Sequence, residues 1–204
     1  MSLFMTDEDK EFFMICADGK REEIESAISM GANPNEMFSP VDGLSKNALD
    51  VAVTMNNTET AEALLQHGAN PNFQDKNGRT ALMYAVLVSA EMVETLLNNG
   101  ADPNIQDILG RTPLIMAVSG RDLLVRDFFA GLIRTGGIRA KDSDKWILTA
   151  FIYAAVCRNL QIESTKIFLE HGANASLCDN KGMNARTYAM AADDDEIFMM
   201  LMNY

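Results

Sequence analysis

The sequence predicts an all-α solenoid of helix-turn-helix repeats with short turns projecting from one edge, and three observations carry that prediction. A short motif, Gly-Ala-Asx-Pro-Asn, recurs through the chain. An aspartate recurs at Asp42, Asp75, Asp107, Asp144 and Asp179, with gaps of 33, 32, 37 and 35 residues. Between these markers lie paired segments with helical apolar spacing, each ending where a glycine can adopt the left-handed conformation that closes a helix. Self-similarity at a fixed period of this size marks a stacked architecture, in which each unit buries its apolar faces only against its neighbours.

The units follow in order. Residues 8–41 supply two helices, around Phe12-Phe13-Met14-Ile15-Cys16-Ala17 and then Ile24 to Ile28, without the aspartate and threonine that open later units. This reads as an N-terminal cap repeat and its turn, ending on Gly31-Ala32-Asn33-Pro34-Asn35. Internal repeats are expected at 42–74, 75–106, 107–143 and 144–178, with the marker restated as Gly68-Ala69-Asn70-Pro71-Asn72 and Gly100-Ala101-Asp102-Pro103-Asn104. The marker thins to Thr135-Gly136-Gly137 and Gly172-Ala173-Asn174-Ala175-Ser176, and extra residues between Gly120 and Gly136 predict irregular stacking in this half. Residues 179–204 close the series as a C-terminal cap, where Arg186 stands at a leucine position and suits a face open to water. About six repeats, caps included, make one solenoid over 1–204.

The segments Asp107-Ile108-Leu109-Gly110-Arg111-Thr112-Pro113-Leu114-Ile115-Met116-Ala117 and Asp75-Lys76-Asn77-Gly78-Arg79-Thr80-Ala81-Leu82-Met83-Tyr84-Ala85 give the pattern its detail. They resemble the ankyrin-repeat family, whose unit of about 33 residues opens its first helix with Thr-Pro-Leu-His-x-Ala. The threonine is placed to cap free helix amides, and Pro113 sits in the first turn, where no amide is missed. The sequence departs from the family at the histidine, replaced in turn by Asp50, Met83, Ile115, Ile152 and Thr187, and at the turn glycine of the fourth internal unit, where Ile147 stands.

Composition narrows the function. At 48% apolar and 23% charged residues, the 204-residue chain can bury a substantial core, so disorder is a poor description. No apolar run approaches the roughly 18 to 20 residues that cross a bilayer, so no membrane role is expected. The acidic start, with Asp7, Glu8, Asp9 and Glu11, has the wrong sign for a secretory or mitochondrial leader. Cys16, Cys157 and Cys178 form no C-x-x-C pair, and three thiols make no disulfide framework, which points to a reducing cytoplasm. A formal charge of −12 repels phosphate, so nucleic acid is not the expected partner.

No chemistry-bearing constellation stands out. His67 and His171 precede the repeat glycine in one shared register, which argues for helix capping over catalysis. Cys178 lies seven residues after His171, not at a zinc-ligand spacing. Four acids at 193–196 begin a helix, where they favour its positive end. No phosphate-cradling glycine motif occurs, and the 14 methionines fall mostly at core positions. No catalytic residue, metal or cofactor is expected, and the chain is not read as an enzyme.

The resemblance implies a binding face formed by the turns and the inner helices. The turn positions are Gly43, Leu44 and Lys46; Lys76, Asn77 and Arg79; Ile108, Leu109 and Arg111; and Lys145, Trp146 and Leu148. Met55, Leu87 and Val88 extend this face along the first helices. Interface anchors favour Trp and Arg, and the basic side chains on these turns imply a partner protein with an apolar, partly acidic surface. Trp146 has an alternative place, packed under its own turn beside Ile147. The expected function is a cytoplasmic adaptor, scaffold or inhibitor, monomeric or weakly self-associating. A self-assembling structural module is the rival reading, and a small-molecule binder or enzyme a more distant one.

Overall fold

The computed structural model describes residues 7–35, 37–38, 46–119 and 159–204. Helices run at α1 (Asp7–Asp18), α2 (Arg21–Ser29), α3 (Ala48–Thr54), α4 (Thr58–Gln66), α5 (Ala81–Ala85) and α6 (Ala90–Asn98). Further helical residues lie at 113–119 (α7) and 159–170 (α8), followed by α9 (Ala185–Ala191) and α10 (Asp195–Met202). The only strands among the described residues form a two-stranded antiparallel ribbon, β1 (Met37–Phe38) and β2 (Lys46–Asn47), with Met37 opposite Asn47 and Phe38 opposite Lys46. These strands flank residues 39–45, where the first aspartate turn is expected. The architecture is the helical-repeat solenoid the sequence predicts.

First helices pack side by side, α1 on α3 and α3 on α5, while second helices form the other layer, α2 on α4 and α4 on α6. The repeated pattern explains the packing. Leu49, Leu82 and Leu114 are fully buried, as are Ala52, Ala85 and Ala117, whose small side chains let neighbouring helices approach. In the second layer Leu64, Leu96 and Phe168 take one shared position and are buried too.

Helix starts are capped by whichever side chain the position holds. Thr112 accepts from the Ile115 amide (3.1 Å), Asn47 from Asp50 (2.7 Å) and Asn184 from Thr187 (3.0 Å). Asp50, where the family places histidine, accepts in return from the Asn47 amide with its carboxylate (3.2 Å) and completes a capping box. Thr80 departs from the expected capping role: its hydroxyl is buried without a hydrogen-bond partner among the described residues.

Two hydrogen-bond ladders join successive layers. In the loop ladder, Asn35 donates to the Gly68 carbonyl and accepts from the Asn70 amide, and Asn72 does the same with Gly100 and Asp102. Asn104 then donates to Gly172 (3.4 Å) and accepts from Asn174 (2.7 Å). In the turn ladder, the Ile108 amide donates to the Asn77 carbonyl (3.0 Å), and the Asn180 amide donates to the Leu109 carbonyl (2.9 Å).

The turn at 107–110 lies directly on the turn at 179–182, and the loop at 100–104 directly on that at 172–176. Gly78, Gly110 and Gly182 all have φ between +71° and +75°, where a β-branched residue is strongly disfavoured. A Cβ on Gly78 or Gly110 would also meet the next turn at 2.9 Å or less. Residues 120–158, which include Asp144, Trp146, Ile147, Leu148 and Cys157, lie outside the described residues.

Candidate functional site

Each described turn is built on one aspartate. The Asp75 Oδ1 accepts from the Asn77 and Arg79 amides at 2.8 Å, Asp107 from Leu109 and Arg111 at 2.9 Å, and Asp179 from Lys181 and Met183 at 2.8 and 2.9 Å. The carboxylate thereby replaces a backbone partner for two turn amides, which fixes the tip and leaves its side chains pointing away from the stack.

The second carboxylate oxygen is satisfied in two ways. The Tyr84 hydroxyl donates to Asp75 and the Tyr188 hydroxyl to Asp179, both at 2.7 Å. Burial, then the bond to Asp75 and its charge, raise the Tyr84 hydroxyl above the ordinary tyrosine value; Tyr188 is raised in the same way by burial and Asp179. For Asp179, burial pushes the carboxyl up. The Tyr188 hydroxyl, the Met183 and Lys181 amides and the Lys181 charge outweigh it and hold the group below 3.8. At Asp107 the tyrosine position is Met116, and Arg111 takes its place, donating from Nε (2.9 Å) and Nη2 (2.6 Å).

Arg111, one of the turn residues expected to meet a partner, is 9% exposed and committed to a buried ion pair within its own turn. Lys76 is exposed, and Asn77 and Arg79 are half-buried. Ile108 and Leu109 are 62% and 51% exposed, although their backbone is bonded on both sides, since the Asn180 side-chain amide also donates to the Ile108 carbonyl at 3.0 Å. Lys46 belongs to β2, and Leu44, Trp146 and Leu148 lie outside the described residues. On the helix tips Met55 and Leu87 are exposed and Val88 is half-buried.

The turn beside Ile108 and Leu109 is 179–182, which presents exposed Asn180 and Lys181 at the places that Lys76 and Asn77 hold after Asp75. The described edge therefore reads Lys76 and Asn77, then Ile108 and Leu109, then Asn180 and Lys181: an apolar step with a lysine on each flanking turn.

Among the remaining reactive side chains of the described residues, Cys178 is an exposed free thiol, and His67, His171 and Cys16 are engaged in structure. Nδ1 of His67 lies 2.8 Å from the Ala63 carbonyl, and Nδ1 of His171 lies 2.8 Å from that of Ile167, so each ring caps its own helix end by donating from that nitrogen. Cys16 is fully buried, and burial pushes its thiol up to about 12, which leaves it protonated at neutral pH. Among the described residues no group of three or more His, Cys, Asp or Glu is placed to hold a metal ion, and no helix is long and apolar enough to cross a membrane.

Stacked helix pairs, left-handed loop glycines and aspartate-built turns together define a helical-repeat protein. One family model, described as ankyrin repeats (3 copies), matches residues 12–107, and a second, described as ankyrin repeats (many copies), matches 90–126. Between them they cover more than half of the chain, and the protein belongs to the ankyrin-repeat family. No curated protein matches the chain. Ankyrin repeats are generally protein–protein interaction modules.

Proposed function

We propose that this chain is a cytoplasmic adaptor, scaffold or inhibitor that holds one partner protein along its turn edge, without catalysis or a cofactor. The observation that carries this reading is the exposed pair Ile108 and Leu109, held on a turn whose backbone is bonded to both neighbouring turns. Stacking does not use these side chains, and exposure in water gives them no stabilisation. Lys76 and Lys181 on the adjoining turns favour a partner that presents an apolar spot edged by carboxylates. Asn77 and Arg79 complete the contact strip, and Leu44, Lys46, Trp146 and Leu148 are the further positions assigned to it.

Affinity capture from the native host tests this reading, comparing the intact chain with Ile108→Ser/Leu109→Ser. The double variant is expected to keep its melting temperature within the range of ordinary surface substitutions, about ±0.5 kcal/mol, and to lose the captured protein. Arg111→Ala is the contrasting control. It strands the buried Asp107 charge and is expected to cost about 3 kcal/mol of stability. Undiminished capture by a folded Ile108→Ser/Leu109→Ser chain would remove the turn edge as the binding site.

A further inference from the structure

Arg79 and Arg111 hold one place in their turns, after Asp75 and Asp107, and their guanidinium groups differ in what they meet. Arg111 donates from Nε (2.9 Å) and Nη2 (2.6 Å) to the Asp107 carboxylate and is buried with it. At Asp75 the corresponding oxygen is held by the Tyr84 hydroxyl (2.7 Å), and Arg79 has no side-chain hydrogen bond or ion pair among the described residues. Its Nε is shielded from water without an acceptor, while the terminal nitrogens of this half-buried side chain are not shielded. Burial, the bond to Asp75 and the charges of Asp75 and Asp50 raise the Tyr84 hydroxyl, and the Arg79 charge opposes them. The guanidinium is therefore within electrostatic reach of this network but bonded to none of it. The turn itself does not call for an arginine here. The other turn built on an aspartate and a tyrosine, Asp179 with Tyr188, carries Met183 at the same place. A cation at residue 79 also precedes Thr80, the N-cap of α5, where it faces the positive end of the helix dipole.

We infer that Arg79 is the specificity-determining residue of the turn edge, and that it takes an Asp or Glu carboxylate of the partner protein beside the apolar contact at Ile108 and Leu109. The inference rests on the turn edge being the binding face. A guanidinium presents its donors in a planar fork that matches a carboxylate, and such charge-assisted bonds are the strong ones. Arg111 on Asp107 makes that pairing within the chain, whereas Arg79 has to receive its carboxylate from outside. The two contacts fall on adjoining turns. Gly78, the residue before Arg79, lies so close to the next turn that a Cβ on it would be 2.9 Å from the Ile108 amide nitrogen. That amide donates to the Asn77 carbonyl at 3.0 Å. A phosphate is the poorer fit, because its charge of about −1.5 to −2 at neutral pH would stand near Asp75 and Asp50 in a chain of net charge −12.

The test selects random peptides displayed on phage against the full chain and measures the recovered peptides, labelled with a fluorophore, by anisotropy. The recovered sequences are expected to share an Asp or Glu close to a large apolar residue. Replacing that acid by its amide is expected to weaken binding to the wild type by about tenfold or more, or about 1.4 kcal/mol, and to leave binding to Arg79→Gln nearly unchanged. Arg79→Lys keeps the charge without the fork and is expected to retain only part of the preference for the acid. Both variants are expected to melt as the wild type does, and a large loss of stability in both would assign the guanidinium to the fold and overturn the proposal. A selection that yields no recurring acid overturns it, as does an acid-to-amide loss as large on Arg79→Gln as on the wild type. In either case the turn edge still stands if Ile108→Ser/Leu109→Ser abolishes binding. Peptides that bind Ile108→Ser/Leu109→Ser undiminished remove the turn edge and this inference with it. Tighter binding when phosphoserine replaces the acid would give Arg79 to a phosphate, which overturns the carboxylate assignment.

Discussion

Between residues 46 and 119 the sequence and the stack advance together, whereas between 107 and 204 they do not. From Asp75 to Asp107 the chain takes 32 residues and the structure gains one level; from Asp107 to Asp179 it takes 72 and again gains one. The bonds across the two steps are nevertheless alike. Gln74 donates to the Gln106 carbonyl at 3.0 Å, and Gln106 donates to that of Cys178 at 2.9 Å. A ladder of local contacts is indifferent to how much chain separates its rungs, because each level contacts only its neighbours. The family models end at residue 126, while the ladder continues through 182.

Phe168→Ala puts the greatest strain on this equivalence. Phe168 is fully buried at the place of Leu64 and Leu96, and its truncation is expected to cost about 3 to 5 kcal/mol. If α8 is part of the same stack, Phe168→Ala and Leu96→Ala will each lower a single cooperative melting transition. A calorimetric trace that splits in Phe168→Ala, leaving the first half unmoved, would separate the two regions.

How much of this was legible depends on the kind of signal. Left-handed glycines and turn aspartates are fixed by local geometry, so Gly31, Gly68, Gly100 and Gly172 announce their loops wherever they stand. The spacing from Asp144 to Tyr153 equals that of Asp75 to Tyr84 and Asp179 to Tyr188, and by that measure alone a level at 144 looks complete. Ile147 departs from that pattern, standing where Gly78, Gly110 and Gly182 take a positive φ. The turn position of Arg111 is legible in the repeat spacing, but Met116 stands where a tyrosine elsewhere occupies the carboxylate, and only side-chain geometry shows the guanidinium filling that gap.

Glycine substitutions sharpen the comparison next. Gly110 and Gly182 share nearly the same φ, +75° and +74°, but a Cβ on Gly110 would lie 2.7 Å from the Asn180 Oδ1 and 2.9 Å from its amide nitrogen, while Gly182 has nothing within 4 Å. Valine at either site bears the backbone cost of about 1 to 2 kcal/mol, and at Gly110 a further clash of about 1 to 3 kcal/mol. Denaturant melts are therefore expected to rank Gly110→Val well below Gly182→Val. Equal losses would mean that the turn at 179 does not lie against that at 107.

Asn72→Ala and Asn104→Ala remove the same two loop bonds on either side of the junction, and each is expected to cost about 1 kcal/mol. Their amide exchange is more telling than their stability. Asn104→Ala should speed exchange at the Asn174 amide and leave Asp102 protected, and Asn72→Ala should do the reverse. An Asn174 amide indifferent to Asn104→Ala would break the loop ladder at the junction.

The smallest effect is the pH dependence of the last turn. Because the Asp179 carboxyl is held below 3.8 in the folded chain, its contribution to stability is fully present above that value and is lost as pH falls through the depressed folded value. Burial opposes this shift, so the Tyr188 hydroxyl and the two turn amides must more than compensate for it. Tyr188→Phe removes one of those donors and should cost about 1 kcal/mol at neutral pH. Its Asp179 carboxyl should titrate higher than the wild type's when followed by NMR. The stability difference between the two proteins should then narrow in acid, once Asp179 is protonated in both and has no charge left for the hydroxyl to favour. Tyr84→Phe makes the same change two levels further along the stack, where Asp75 also accepts from two turn amides, so its melts should show the same sign. A Tyr188→Phe deficit that persists undiminished well below the folded Asp179 value would assign the hydroxyl to packing, and not to the carboxylate that builds the turn.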